Sequence, residues 1–561
     1  MDKHAIALVL EEIATLLDLH GENSFKSKAF ASAARAIESV QGDVVALSRA
    51  HELESVPGIG PATARIITEL IDTGTAKYYH DLRARTPSGF YELLAVPKLG
   101  AKRIRLLHEA LGIDSVDDLE RAAREGKISK VKGFSARTEE ILLEGISYVR
   151  GTLGRRRLAE ALDVGPRLLA FVRGVKGVID AELGGELRRS LETVDGISIV
   201  AAAEQSDLDA VLGAFIALPG LTNARKLDDA TAAARLSDGF TLRLRCCTPD
   251  RFGATVIMET GTAAHVQALG SLDDVRAASE EEAYNRLGLP FIPAELRENG
   301  DEVEAARNGE LPDLVELDDL RGCFHCHTVY SDGRGTVEEM ALAAKERKWR
   351  YLGIADHSKN ASYAGGLSRE EVECQHAEID EWNAQHGSKV WLFKGIEADI
   401  LTDGRLDYED EDGLLETFDY VIGSIHSSFA LPPAQQTARL IRAMQNPALT
   451  FVGHMTGRLL LSRAGYRPEV ETVLEAAAQL GAGVEINADP HRLDLDWRYW
   501  HKAKQLGVKT AINPDAHSTR GLDVVEYGVC MARKGWLEAS DVVNTWTLPQ
   551  VRKFFTQRTQ R

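Results

Sequence analysis

The C-terminal part of the chain contains seven short apolar runs that each lead into polar residues, and this repeat constrains the fold more than any other feature. The runs are GCFHCH (ending at 327), YLGIADH (357), VWLFKGIEAD (399), YVIGSIH (426), LTFVGH (454), GVEIN (487) and KTAINPD (515). Polar residues at or near their ends follow one another roughly 30 residues apart, which is the length of one β-strand with one returning helix.

Amphipathic helical patterns lie between the runs, for example TVEEMALAAKERK (336–348) and PEVETVLEAAAQLG (468–481). Strands that alternate with helices pair in parallel and are buried on both faces. Seven such units predict a barrel, in which the C-terminal strand ends converge on one mouth that holds the functional site. We therefore expect the polar residues that follow the runs to lie close together.

His325 and His327 alternate along the first run, so on a strand their side chains leave the same face. This spacing is typical of metal ligands. The run also contains Cys323 and Cys326, formally a CxxC pair. Strand alternation predicts opposite faces for the two thiols, which argues against a zinc ribbon or a redox pair.

Further candidate metal ligands follow the other runs: Asp332, His357, Glu397, His426, His454, Asp515 and His517. A lone histidine on an apolar strand is usually a hydrogen-bonded core residue, but nine candidates at converging strand ends are not explained in that way. Six imidazoles and three carboxylates exceed the needs of one tetrahedral zinc and predict two or three ions with bridging groups. The mixed set favours manganese, iron or zinc over magnesium or calcium alone.

Three similar pieces lie within the first 145 residues: SVPGIGPATARII (55–67), AVPKLGAKRIRLL (95–107) and KVKGFSARTEEIL (130–142). Each indicates a helix end, a short hairpin and a new amphipathic helix. Their glycines allow a tight turn and leave the first N–H groups of the next helix facing outward. Because such N–H groups bind phosphate, the candidate DNA-binding residues are Gly58, Gly60, Gly100, Lys102 and Gly133.

The composition is that of an ordinary globular protein, with 44% hydrophobic and 27% charged residues among 561. A net charge of −19 argues against nonspecific coating of nucleic acid or anionic membrane as the main activity. Local contacts through main-chain amides need no basic surface and stay possible. Six cysteines, no apolar leader and no run of about 18 apolar residues predict a cytoplasmic protein without a membrane partner.

The motifs HCHTVYSDG, ADHS, GIEADI, SIHSS, GHMTGR, EINADPHRLDL and NPDAH resemble the full motif set of the PHP (polymerase and histidinol phosphatase) domain, a distorted (βα)7 barrel with a trinuclear metal site. The resemblance implies three ligand sets: His325, His327, Glu397 and Asp515; Glu397, His426 and His454; and Asp332, His357 and His517. It implies that Glu397 bridges and that a shared metal-bound hydroxide attacks phosphorus while the metals bear the developing charge. Candidate phosphate contacts near the same motifs are Lys359, Arg458, Arg463 and Arg492.

The whole chain resembles the bacterial and archaeal family X DNA polymerases (PolX). The similar segments outside the PHP domain are the hairpin pieces, NSFKSKAFASAARAIE (23–38), GGELRRSLETV (184–194), TGTAAH (260–265) and GLPFIPAELRE (288–298). The resemblance implies a multidomain α/β protein with five parts: a helical DNA-binding domain (1–85), a fingers-like helix-hairpin-helix domain (86–154), a nucleotidyltransferase-like α+β palm (155–245), a thumb-like region with a linker (246–312) and the PHP barrel (313–561).

The palm departs from the pattern that the resemblance implies. A polymerase palm needs three aspartates to hold two magnesium ions. The corresponding positions are Gly196, Ser198 and Arg243, and Asp195 lies one place early. We therefore expect a palm without polymerase activity, and magnesium as a cofactor only if the palm is active.

Two further positions depart from the same pattern. In the family a Gly-Ser pair binds the triphosphate of the incoming nucleotide. The matching pair here is Gly185-Glu186, so the carboxylate of Glu186 would face the negatively charged phosphates. Some amino-terminal domains of the family have a lyase activity that requires a side-chain amine able to form a Schiff base. The matching place in this sequence has Ile66 beside Arg65, and neither side chain can form one.

These features predict a DNA-repair phosphoesterase that acts as a 3′-to-5′ exonuclease through the PHP domain, with 3′-phosphatase or abasic-site cleavage as related activities. The predicted partner is gapped, nicked or 3′-ended DNA, and the sequence identifies no protein partner. Three alternatives stay open: a polymerase that uses Asp195 after a local register shift, a small-molecule phosphatase of the histidinol phosphate kind, and a noncatalytic DNA-binding scaffold.

Overall fold

The computed structural model of the protein describes residues 3–39, 44–94, 96–152, 154–236 and 239–559. The chain divides into two compact units, residues 1–153 and 154–561. Among the described residues, no helix is both long and apolar enough to span a bilayer.

The described part of the first unit is helical. Its α-helices are α1 (Lys3–Leu19), α2 (Ser24–Ser39), α3 (Val44–Arg49), α4 (Pro61–Thr73), α5 (Lys77–Ala84), α6 (Ser88–Leu94), α7 (Ala101–Leu111), α8 (Val116–Arg124) and α9 (Ala136–Thr152). The apolar residues Ile6, Leu10, Ile13 and Leu17 of α1 are buried and belong to one hydrophobic core that extends from Ile6 to Ile146. The predicted helical domains 1–85 and 86–154 therefore share a core.

Each of the three hairpin pieces forms a tight turn that leads into a helix, namely α4, α7 and α9. Gly58 and Gly133 adopt positive φ angles of 100° and 97°, as a left-handed turn residue requires. In the second turn that position is taken by Lys98, with φ at 66°. Gly60 and Gly100 instead have extended backbone just before their helices, with open space where a Cβ would stand. At these two positions a glycine leaves room for a ligand rather than permitting a turn.

The second unit begins with a region that contains a sheet of five strands. The elements up to residue 308 are β1 (Arg156–Arg157), α10 (Leu158–Leu162), α11 (Gly165–Arg173), β2 (Val178–Gly184), α12 (Gly185–Arg188), β3 (Thr193–Val194), β4 (Gly196–Ala203), α13 (Leu208–Ile216), β5 (Thr222–Lys226), β6 (Thr231–Arg235), β7 (Thr241–Cys247), α14 (Phe252–Thr260), α15 (Ala263–Leu269), α16 (Glu280–Arg286) and α17 (Asp301–Asn308). The strands of the sheet lie in the order β2-β4-β7-β6-β5. β4 and β7 are parallel, whereas the other neighbours in this sheet are antiparallel.

The rest of the second unit contains a curled parallel sheet of six strands, whose order in the sheet is their order along the chain, with α-helices between most of them. Its elements are α18 (Val337–Glu346), β8 (Tyr351–Ile354), α19 (Arg369–His386), β9 (Trp391–Asp399), β10 (Tyr420–Ser424), α20 (Pro433–Met444), β11 (Leu449–Val452), α21 (Val470–Leu480), β12 (Gly483–Asn487), α22 (Trp500–Leu506), β13 (Thr510–Asn513), α23 (Val525–Lys534) and α24 (Leu548–Thr559). Six of the seven predicted strands are present. Nearly all of their residues are buried, as expected for a parallel sheet covered on both faces.

The first predicted strand, GCFHCH, is not a regular strand. The Cys323 carbonyl accepts a hydrogen bond from the Gly353 N–H of β8 at 2.8 Å, and the His327 N–H donates to the carbonyl of Ala516, just after β13, at 2.8 Å. The segment therefore joins the first and last strands of the curled sheet. It does so irregularly because a side chain replaces one ladder partner: the Phe324 N–H donates to Oδ1 of Asn513 at 2.9 Å.

This irregularity corrects the prediction for the two thiols. The sulfur atoms of Cys323 and Cys326 lie 3.5 Å apart, and both residues are fully buried. Strand alternation would have separated the thiols, but the segment does not keep the regular alternation. His325 and His327 still point to the same place, with ring centroids 5.2 Å apart.

Candidate metal centre

All nine predicted metal ligands converge at the C-terminal ends of the strands in the curled sheet. They come from the irregular first segment and the loop after it, from the end of β9, and from the residues that follow β8, β10, β11 and β13. Within the described residues, the ligand atoms of eight of them form three overlapping groups: His327, Asp332, His357 and His517; His325, His327 and Asp515; and His357, Glu397 and His426. The ninth, His454, contacts Glu397 at 3.0 Å.

Glu397 lies at the centre of this arrangement and is 1% exposed. Five imidazole nitrogens surround its two carboxylate oxygens: His454 Nε2 at 3.0 Å, His426 Nε2 at 3.4 Å and His325 Nε2 at 3.4 Å from Oε1, and His357 Nδ1 at 2.9 Å and His327 Nε2 at 3.8 Å from Oε2. A carboxylate with imidazoles near both of its oxygens is placed to bridge two metal ions.

Two other carboxylates complete the groups. Asp332 Oδ1 lies 3.3 Å from His517 Nε2, 3.7 Å from His357 Nε2 and 3.8 Å from His327 Nδ1. Asp515 Oδ1 lies 3.2 Å from His327 Nε2 and 3.6 Å from His325 Nε2. The groups differ from the predicted ligand sets because His327 faces three carboxylates and His357 faces two.

The chemistry of these groups fits metal ions. Burial would raise the pKa of Glu397, but the imidazoles of His325, His426 and His357 hold it well below its usual value, so the carboxylate is ionised. Among the described residues, the ring nitrogens Nε2 of His325 and Nδ1 of His327 are buried without a hydrogen-bond partner. Buried polar nitrogens are normally satisfied, and a coordinated cation would satisfy these two.

Two supporting carboxylates were missed in the sequence. His325 Nδ1 lies 2.7 Å from Glu485 Oε2, and His426 Nδ1 lies 2.6 Å from Asp399 Oδ1. Each contact fixes the ring so that its Nε2 faces Glu397, which is how outer carboxylates orient metal-binding histidines. The sequence did contain a signal, because Asp399 follows Glu397 at the same-face spacing and Glu485 is a charged residue inside the apolar run GVEIN.

Replacing Glu485 by glutamine should lower metal affinity and hydrolysis by roughly 10- to 100-fold, because the imidazole of His325 loses the charged partner that orients it. The change keeps the shape of a fully buried side chain. Metal titration followed by activity would measure both quantities. Glu475→Gln on the exposed face of α21 is the control and should leave them unchanged; an unaltered affinity in Glu485→Gln would contradict the assigned role.

Of the candidate phosphate contacts, the structure brings Arg492 to the metal ligands, with Nε 3.8 Å from Asp515 Oδ2. Arg458 donates to the Arg492 carbonyl at 2.9 Å and to Asp496 at 2.8 Å, so it braces the loop that carries Arg492. Lys359 pairs with Glu411. Arg463 donates to the Gly457 carbonyl at 2.8 Å and lies over the ring of Phe429. Phosphate contact stays a prediction, and its geometry is best for Arg492.

The palm positions singled out in the sequence lie side by side. Ser198 of β4 and Arg243 of β7 are register partners in the parallel ladder, and Gly196 lies two residues before Ser198 on the same face of the strand. The structure therefore brings together the three positions at which aspartates are expected in the family. Arg243 is partly exposed and lies 3.9 Å from the carboxylate of Glu259.

Comparisons with known families agree with this architecture. Family profiles match at residues 1–76 (helix-hairpin-helix domain), 90–147 (SAM-like helix-hairpin-helix tandem) and 324–489 (PHP domain). The profiles and the clustered ligands define a multidomain enzyme that joins helix-hairpin-helix domains to a C-terminal PHP domain.

Relatives place the chain more narrowly. It is 33% identical to the DNA polymerase/3′-5′ exonuclease PolX of Bacillus subtilis over 99% of each protein. The chain belongs to the PolX family. Probable phosphatases of Caldanaerobacter subterraneus and of a Thermoanaerobacter species are 28% and 26% identical to it, over 34% and 39% of this chain and 74% and 89% of theirs.

Proposed function

We propose that this PolX family member is a 3′-to-5′ DNA exonuclease whose PHP centre performs the hydrolysis and whose palm does not polymerise. One contrast carries the proposal. All nine ligand positions of the PHP centre carry side chains that bind metals, whereas the three metal positions of the palm are Gly196, Ser198 and Arg243.

The PHP centre has the groups that phosphodiester hydrolysis needs. Two or three ions of manganese, zinc or iron, held by the nine ligands, would supply a nucleophile at neutral pH and neutralise charge on the phosphoryl oxygens. Glu397 holds the cluster together from its buried position. Arg492 presents a guanidinium beside Asp515, where it can orient a phosphate through charged hydrogen bonds.

The two arginines of the GGELRRSLETV segment are paired with carboxylates of the protein itself. Arg188 pairs with Glu280 at 2.5 Å, and Arg189 pairs with Glu298 at 3.0 Å. Glu186 accepts hydrogen bonds from Arg155 at 2.6 Å and from the Asp195 N–H at 3.0 Å. A triphosphate would have to break these pairs and would meet no metal-binding carboxylate at the palm positions, which supports a palm that orients DNA or serves as a scaffold.

The helix-hairpin-helix turns supply the proposed DNA contacts. Gly60 and Gly100 leave the space in front of α4 and α7 free of side-chain atoms, and Lys102 in the first turn of α7 is exposed. Main-chain N–H groups at such a helix start bind phosphate without reading sequence. Gapped, nicked and 3′-ended duplexes are the proposed substrates, and abasic-site or 3′-phosphate processing in DNA repair fits the same chemistry.

The test is digestion of a duplex labelled at either end, with manganese, by the wild type and by a His325→Ala/His327→Ala variant. We expect shortening from 3′ ends in the wild type and none in the variant. Loss of nucleotides from 5′ ends, or equal cleavage by the variant, would contradict the proposal. Hydrolysis of a small phosphomonoester is measured beside that of the duplex, because a small-molecule phosphatase is the competing function. We expect the phosphomonoester to be hydrolysed much more slowly.

Primer extension tests the palm. With deoxynucleotides and magnesium or manganese, we expect no extension of a gapped primer, even in the His325→Ala/His327→Ala variant, which cannot degrade a product. The alternative polymerase would use Asp195, which is exposed in the turn between β3 and β4. Extension by that variant that disappears on adding Asp195→Ala would show an active palm and contradict this part of the proposal.

A further inference from the structure

Tyr363 is an exposed aromatic residue at the mouth of the metal centre. Its ring centroid lies 6.3 Å from that of His357 and 6.4 Å from that of His426, two of the predicted ligands. The residue is nevertheless 72% exposed. One side of the phenol therefore approaches the cluster while most of its surface faces solvent.

A single exposed aromatic residue elsewhere on a protein would need no explanation. This one differs because the loop that carries it is braced on both sides. The Asn360 N–H donates to Asp407 Oδ2 at 2.7 Å, and the Asn360 side chain donates to Asp399, the carboxylate that orients His426. Ser358 and Leu367 form a bridge that closes the loop.

Close packing within the loop also limits its movement. A Cβ on Gly366 would lie 1.9 Å from the Ser358 carbonyl oxygen, so the two sides of the loop are in close backbone contact there. The phenol is thus carried by a loop with hydrogen bonds and close packing at its base. A phenol ring has only two side-chain torsions, so it loses little entropy when it stacks on a flat ligand.

We propose that Tyr363 stacks on the nucleobase of the 3′-terminal nucleotide and so positions the adjacent phosphodiester over the ligands. This inference rests on the proposed exonuclease function and adds the residue that recognises the terminal nucleotide. Every base has an aromatic face, so stacking suits an enzyme that removes nucleotides without regard to sequence. The ring is close enough to His357 and His426 for the base and its flanking phosphate to engage the tyrosine and the cluster together.

The test compares Tyr363→Ala, Tyr363→Phe and wild type on two duplexes that differ only at the 3′ end, one with a normal terminal nucleotide and one with a tetrahydrofuran abasic residue. On the normal end, Tyr363→Ala should lower kcat/KM by about tenfold or more, mainly through KM, because one base-stacking contact is lost. Tyr363→Phe should keep nearly full activity. On the abasic end, wild type and Tyr363→Ala should be equally slow.

A control variant and the contrary outcomes complete the design. Leu342→Ala removes an exposed apolar side chain from α18 and should leave kcat/KM on both duplexes unchanged. Equal loss by Tyr363→Ala on both ends would indicate a damaged metal centre and overturn the inference, as would a Tyr363→Phe variant as weak as Tyr363→Ala, since the hydroxyl would then be the acting group. No hydrolysis of either end by the wild type would instead contradict the proposed function.

Discussion

Glu397→Gln should reduce hydrolysis of 3′-ended DNA by about a thousandfold or more, equivalent to about 4 kcal/mol of activation free energy. This carboxylate faces five imidazole nitrogens at 2.9 to 3.8 Å, on both of its oxygens. Its loss therefore affects every part of the cluster together.

The physical reason is charge rather than shape. Glutamine fills the same volume, but its amide is neutral and places an N–H donor where an anionic oxygen stood. Since the neighbouring imidazoles hold the pKa of Glu397 well below its usual value, the wild-type group is an anion at every physiological pH. Without that anion, two cations held close together would repel each other across a buried site.

Metal content and activity of the same preparation would check this expectation. We expect at least one equivalent of metal to be lost from Glu397→Gln and only a trace of exonuclease to persist. Glu302→Gln is a matched control, because it replaces another fully buried carboxylate that pairs with a histidine, His265, outside the PHP domain. Full activity in Glu397→Gln would show that the carboxylate does not bridge metals.

Much of the PHP fold could be predicted because strand, helix and ligand signals coincide there. Six apolar runs became strands, and the polar residues after them meet at one end of the sheet because parallel strands share their direction. The convergence of Asp332 and His517 was accessible by the same logic, although both lie in loops. Sequence motifs also indicated the helix-hairpin-helix units that the family profiles match.

Other features depended on contacts that a linear pattern does not contain. The segment with Cys323 and Cys326 looked like a strand, but the side chain of Asn513, almost 190 residues away, takes one of its backbone hydrogen bonds. Nothing in the sequence indicated that Arg458, a candidate phosphate contact, donates to the carbonyl of Arg492 more than 30 residues away. Lys98 occupies a left-handed turn position at which the other two turns have glycine, because the common turn geometry overrides the local preference of its sequence.

Metal removal is expected to abolish hydrolysis, which we assign to the second unit, while DNA binding by the first unit persists. Exhaustive chelation should abolish hydrolysis, and manganese should restore it, because the ligands of the cluster lie in residues 325–517 of the second unit. Binding of DNA, followed by fluorescence anisotropy at low salt, should change little. The proposed phosphate contacts in the turns before α4 and α7 belong to the first unit and contain no predicted metal ligand.

Chelation should also lower the stability of the second unit. An ion present at about 100 times its Kd contributes about 2.7 kcal/mol to the folded state, and each further ion adds its own contribution. Without metal the cluster keeps internal pairs such as His325 with Glu485 and His426 with Asp399, so the unit should stay folded but unfold at a lower temperature. Scanning calorimetry with and without chelator measures the difference.

The His325→Ala/His327→Ala variant is the control for this experiment. It lacks ligands of two of the three groups, so chelation should shift its unfolding much less than that of the wild type. An equal shift in both proteins would mean that the chelator acts elsewhere. Loss of DNA binding on chelation of the wild type would mean that the metal centre itself holds the DNA, and the division of labour proposed for the two units would then be wrong.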